Sequence, residues 1–301
     1  MKKIFFLLVL SSIYIFPQKY LLLDSIKSKF KVEEYTLNTK ELYNIDKKIE
    51  VYNIFVDTKS ILLLSVLPKL ETQISKAGSV DYNKLAKAME KRPTEKNVNW
   101  EKIDFEQIKS NVLSIGDINI LSSEWELQNL PEKKTLKYQL VKKIDNDYYV
   151  SENCLTEFFT IANVQPPLIS PYGTINIVEP KVTIRQMEEI FKERFPKYPF
   201  PLDIREQGGI RYLDINFSIH NYFSKEYLIK GNKAYQFWTL DGWWYNHSLS
   251  EYRGIDRFVY ISGKGIVGGS YDFYFRKFNI LNTLLWDNII NEKVMIAEEL
   301  K

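Results

Sequence analysis

A chain of 301 residues with an apolar share of 45% and a formal charge of only +3 is neither disordered nor built to bind nucleic acid. Its Lys and Arg are interleaved with Asp and Glu rather than gathered into a basic stripe, which describes a mixed charged surface. A single cysteine and two histidines leave no internal disulfide, no cysteine zinc site and little material for hydrolytic zinc chemistry.

The N-terminus places Lys2 and Lys3 before an apolar run, residues 4–10 and 13–16, broken only by Ser11 and Ser12. A short basic stretch followed by an apolar-rich region of about 13 residues is the pattern of a signal peptide, whereas a spanning helix needs roughly 18 or more apolar residues. Pro17, Gln18 and Lys19 interrupt the run before Tyr20, Leu21, Leu22 and Leu23 resume it. There is no A-x-A cleavage site, Pro17 is a poor neighbour for a cut, and no cysteine follows to carry a lipid. The expectation is a signal peptide over 1–18 and an exported product, whether periplasmic, envelope-associated or secreted. An uncleaved N-terminal membrane anchor is the alternative. The longest later apolar run, 61–67, stops at Pro68, so no membrane span is expected once the leader is removed. About 280 residues then remain, which fits one large domain or two small ones.

Residues 19–163 show both structural periods and are expected to be a mixed α/β region. Residues 49–56 predict a strand. Residues 81–91 predict a helix with Leu85, Ala86 and Met89 on one face, and 100–108 a further one. Residues 137–144 and 148–151 predict a hairpin around Asp145, Asn146 and Asp147, residue types that tolerate turn conformations. Cys154 lies beside Leu155, Phe158 and Phe159, the setting of a small buried side chain rather than a nucleophile.

Residues 164–173 carry three prolines and a glycine, so this stretch is neither helix nor central strand and is the candidate junction. Residues 174–301 follow as an antiparallel sheet with helices, forming one domain with the preceding region or a second one. Thr183 and Gln186 form a T-x-x-Q capping box before Ile184, Met187, Ile190, Phe191 and Phe195 at helical spacing, and Pro196 ends the helix. Period two then predicts a strand carrying Leu213, Ile215, Phe217 and Ile219, with further strands over 226–230, 234–240, 256–262 and 266–278. A closing helix over 280–299 is expected, with Leu281, Leu284, Leu285 and Ile289 on one face. Helices and antiparallel strands segregated in this way argue for an α+β fold with a mixed first half, an antiparallel second half and a C-terminal helix.

Three motifs invite chemistry. Gly263, Gly265 and Gly268 match G-x-G-x-x-G, but a dinucleotide site needs a helix to begin there, and strand-like residues follow. A hairpin turn at Lys264 with a bulge at Gly268 and Gly269 is the expectation, and no cofactor is implied. Asp145 and Asp147 resemble a metal–nucleotide D-x-D, but turn formation explains them better, and no metal site is expected. The segment 235–247 holds three of the six tryptophans. Asp241 and Gly242 signal a turn, which sets Trp243 and Trp244 at or just past its tip. With Asp241, His247 and Glu251 these form a candidate ligand site, because aromatic faces stack on sugar rings while polar groups orient them. Successive aromatics in β-rich chains are more often core or cross-strand pairs. No catalytic residue is identified. The expected function is a non-enzymatic binding or interaction protein of the cell envelope, with a glycan or another envelope protein as partner. The alternative is a hydrolase of an envelope or extracellular polymer working through Asp241, His247 and Glu251.

Overall fold

The computed structural model of the chain describes residues 18–69, 99–127, 134–162, 173–197, 200, 220–240, 254–276 and 282–301. From the N-terminus run β1 (Lys19–Leu22), α1 (Leu23–Lys27), β2 (Lys31–Asn38), α2 (Lys40–Tyr43), β3 (Lys48–Phe55) and β4 (Ser60–Leu67). Next come β5 (Trp100–Ile103), α3 (Phe105–Ile108), α4 (Ile115–Leu127), β6 (Lys134–Thr135), β7 (Tyr138–Ile144), β8 (Asp147–Ser151), β9 (Asn153–Ile161) and β10 (Thr174–Ile175). The remainder holds α5 (Ile184–Arg194), β11 (His220–Ile229), β12 (Asn232–Leu240), β13 (Arg257–Ile261), β14 (Gly265–Ser270), α6 (Asp272–Arg276), α7 (Asn282–Ile290) and β15 (Met295–Ile296).

These strands form three sheets, ordered β1-β7-β8-β5, β10-β9-β4-β3-β2 and β11-β12-β13-β14-β15, with β6 paired to β9. All pairs are antiparallel except β1 with β7 and β9 with β10. With short helices packed around them the architecture is α+β. The second sheet is the middle layer, and β4 shows why its sequence is unbroken Ile, Leu, Ser and Val. Ile61, Leu63 and Leu67 join the core shared with the third sheet, while Leu62, Leu64 and Val66 join the core shared with the first. A strand buried on both faces has no solvent side to mark with polar residues. Across the layers Phe159 meets Phe258 edge-on at 5.2 Å, and Phe258 stacks on Phe237 at 5.0 Å. The first core therefore draws on residues from both sides of the proline-rich stretch.

The hairpin of β7 and β8 forms as expected, with Asp145 at φ +55° in its turn. The capping box is present: Gln186 N donates to Thr183 Oγ1 at 3.2 Å, and Thr183 N donates to Gln186 Oε1 at 2.9 Å. Several expectations need correction. Residues 100–108 are not one helix: β5 pairs with β8, and only after Asp104 caps the chain does α3 begin. The strand expected over 266–278 stops at Ser270, because Tyr271 N donates to the Tyr43 hydroxyl and Asp272 opens α6. The closing helix ends at Ile290; Glu292 takes a left-handed φ of +51°, and β15 then adds to the third sheet. Ile190 is half exposed, since Ile184, Met187 and Phe191 already fill the buried face of α5. All but the last residue of the leader expected over 1–18, the helix over 81–91, the prolines of 164–172 and the strand over 213–219 lie outside the described residues.

Candidate functional site

The tryptophan-bearing segment 241–253 leaves the third sheet at Leu240 and returns before Ile255, so its two feet are set by β12 and the entry to β13. Both feet are held by buried polar groups. Thr239 N donates to Asp256 O at 2.9 Å, and the Thr239 hydroxyl donates to Asn221 Oδ1 at 3.0 Å. Ile255 N donates to Glu157 Oε1 at 3.0 Å, and Phe273 N donates to Asp256 Oδ2 at 3.2 Å. Glu157, Asn221, Thr239 and Asp256 are all buried. A carboxylate out of water is tolerated when backbone N–H groups satisfy it, and both acids here accept such a bond. Just below the feet, Trp238 stacks on Tyr222 at 4.4 Å and donates its indole N–H to Val182 O at 2.7 Å. Burial, and then the charge of Glu179, push the Tyr222 hydroxyl well above its ordinary value.

A second polar centre lies beside it. The Arg257 guanidinium grips Asp272 with both of its terminal nitrogens, Nη2 donating to Oδ1 at 3.2 Å, and donates Nε–H to Lys293 O at 2.9 Å. Tyr43 donates to Asp272 Oδ1 at 3.0 Å and accepts from Tyr271 N at 2.6 Å. Tyr271 and Ser65 share a hydroxyl hydrogen bond of 2.7 Å. Burial opposes the charge on Arg257, yet the attraction and hydrogen bonds of Asp272 outweigh it and raise its pKa. Burial, reinforced by Asp272, holds the Tyr43 proton on. This centre joins α2, β4, β13 and α6, and its groups are occupied with one another.

A third constellation is partly open to solvent. Glu50 accepts from the Trp100 indole at 2.6 Å, from the Tyr52 hydroxyl at 2.7 Å and from Lys142 Nζ at 3.1 Å. The Lys142 ammonium also sits 3.9 Å from the centre of the Trp100 ring, a cation–π contact. Cys154 is sealed in the core, and burial pushes its thiol up to about 12. A thiol held neutral is inert as a nucleophile, in line with its sequence setting.

Asp241, Trp243, Trp244, His247 and Glu251 all lie outside the described residues. Trp238, from the same aromatic run, is core. The glycine motif is a hairpin between β13 and β14, with Gly263 at φ +73° and Gly265 at +81°. Its bulge falls at Val267, one residue before Gly268, where the register shifts between Val259 and Tyr260. No helix begins there to receive a pyrophosphate. Among the described residues no group of three His, Cys, Asp or Glu side chains is placed to hold a metal ion. Glu157, Asp256, Arg257 and Asp272 were not singled out by sequence reasoning. Their only signal is a charge set among apolar neighbours, as Glu157 is between Leu155 and Phe158. The chain matches no protein-family model, no curated protein and no solved structure.

Proposed function

We propose that this chain is an exported protein of the cell envelope that acts by binding, with segment 241–253 as its contact surface and an envelope glycan as its ligand. The observation that supports the reading is the anchoring of that segment's feet. Buried hydrogen bonds accepted by Asn221, Glu157 and Asp256 hold where the chain leaves and re-enters the third sheet. Recognition segments work best when a rigid scaffold sets their ends, because less conformational freedom is then lost on binding. Trp243 and Trp244 supply stacking faces, and Asp241, His247 and Glu251 supply groups for sugar hydroxyls.

The test is a titration of intrinsic tryptophan fluorescence with soluble envelope oligosaccharides. A saturable change is expected in the wild type and not in Trp243→Ala/Trp244→Ala, with thermal unfolding the same in both. A panel that gives no saturable change removes the glycan reading. Binding that survives in the double variant moves the site elsewhere.

A further inference from the structure

Tyr20, Leu21, Leu22 and Leu23 look in the sequence like the tail of the apolar leader, but they fold as part of the body. β1 lies parallel to β7, with Lys19 opposite Tyr138 and Leu22 opposite Val141. Leu21 and Ile26 are fully buried and Leu23 almost so, in one core with Leu140. The Gln18 side-chain amide donates to Lys137 O at 2.6 Å, and Leu113 N donates to Tyr20 O at 2.8 Å. A chain that lost β1 would uncover one edge of β7 and open that core to water.

Resting on the export reading above, we propose that the leader is removed at or before the Gln18–Lys19 bond, so that β1 stays with the mature protein. The step is hydrolysis of one peptide bond by a leader peptidase of the exporting membrane. Water adds across the amide, leaving a carboxylate on the leader and an ammonium group on the first residue of the mature chain.

The full chain, expressed in a bacterial host with a periplasm and fractionated, is analysed by intact mass and N-terminal sequencing. A soluble exported product that begins at or before Lys19 is expected. An exported product that begins at Tyr20 or later overturns the proposal and leaves export standing. A full-length chain, in the membrane or in the cytoplasm, overturns the export reading and the proposal with it. Chains made without a leader separate folding from transport. One starting at Lys19 is expected to unfold cooperatively, and one starting at Asp24 to lose that transition or melt at least about 10 °C lower. Equal melting temperatures would show β1 to be dispensable and sink the proposal.

Discussion

Asp272 neutralises Arg257 where water does not reach, so removing its charge alone leaves a buried cation without a partner. Asp272→Asn is therefore expected to cost about 3–5 kcal/mol in urea unfolding. Tyr43→Phe, which only removes a hydroxyl from the same network, should cost about 1–3 kcal/mol. An Asp272→Asn variant as stable as the wild type would mean that Arg257 has another counter-charge. Cys154 makes a prediction in pH. Burial keeps its proton on in the folded chain up to about pH 12, while an unfolded thiol releases it from its ordinary value of 9.0. The folded state thus binds more protons across that window, so unfolding is favoured as pH rises through it, and this group adds no slope below. Thermal unfolding followed from pH 8 to 11 should show the loss start near 9, less steeply in Cys154→Ala. At pH 8 the native thiol should resist alkylation until denaturant is added. Loss that begins well below 9 would implicate a different group.

At the scale of elements, the β13–β14 turn is fixed from outside as well as by its glycines. The Asn53 side chain accepts from Ile266 N at 2.6 Å and donates to Ile266 O at 2.9 Å, standing in for a neighbouring strand. A Cβ on Gly265 would lie 2.4 Å from Asn53 Oδ1, on a backbone already at φ +81°. Gly231 has a similar φ of +77° with open space around it. Gly231→Ala should therefore cost only the left-handed backbone, about 1–2 kcal/mol, and Gly265→Ala clearly more. Equal costs would mean that the Asn53 contact adds nothing. The hairpins and the capping box were legible in the sequence because their signals are local: Asp145 in its turn, Gly263 and Gly265 in theirs, Thr183 three residues before Gln186. Where the sequence misled, a distant partner decided the outcome. Residues 100–103 turn to strand because β8 offers an edge, and 266–278 breaks because Tyr43 takes the Tyr271 N–H. The C-terminal helix is cut short because residues 295–296 find a place on β14. The candidate site was legible only as composition: aromatics beside acids mark segment 241–253, while the buried groups that pin its feet come from β9, β11 and Asp256 just before β13, far apart in the chain.

For the whole molecule, the decisive element is β4. Adjacent residues of one strand serve two cores: Leu63 the one toward the third sheet, Leu64 the one toward the first. Neither core can lose this strand without the other losing half of its shared wall. The Ser65–Tyr271 hydrogen bond and the Phe159–Phe258 contact tie the middle and third layers further, from residues on either side of the proline-rich stretch. The layers should accordingly unfold together. Trp100 reports on the first sheet and its core, and Trp238 on the third. Chains that keep only one of these tryptophans as the fluorescent probe should give coincident urea transitions. Leu63→Ala and Leu64→Ala should each cost about 2–5 kcal/mol and shift both probes equally, because a cavity on either face weakens the one strand that both cores share. Transitions that separate, with Leu63→Ala moving only the Trp238 curve and Leu64→Ala only the Trp100 curve, would show two independently folding units. β4 would then belong to one of them energetically, whatever its position between the layers.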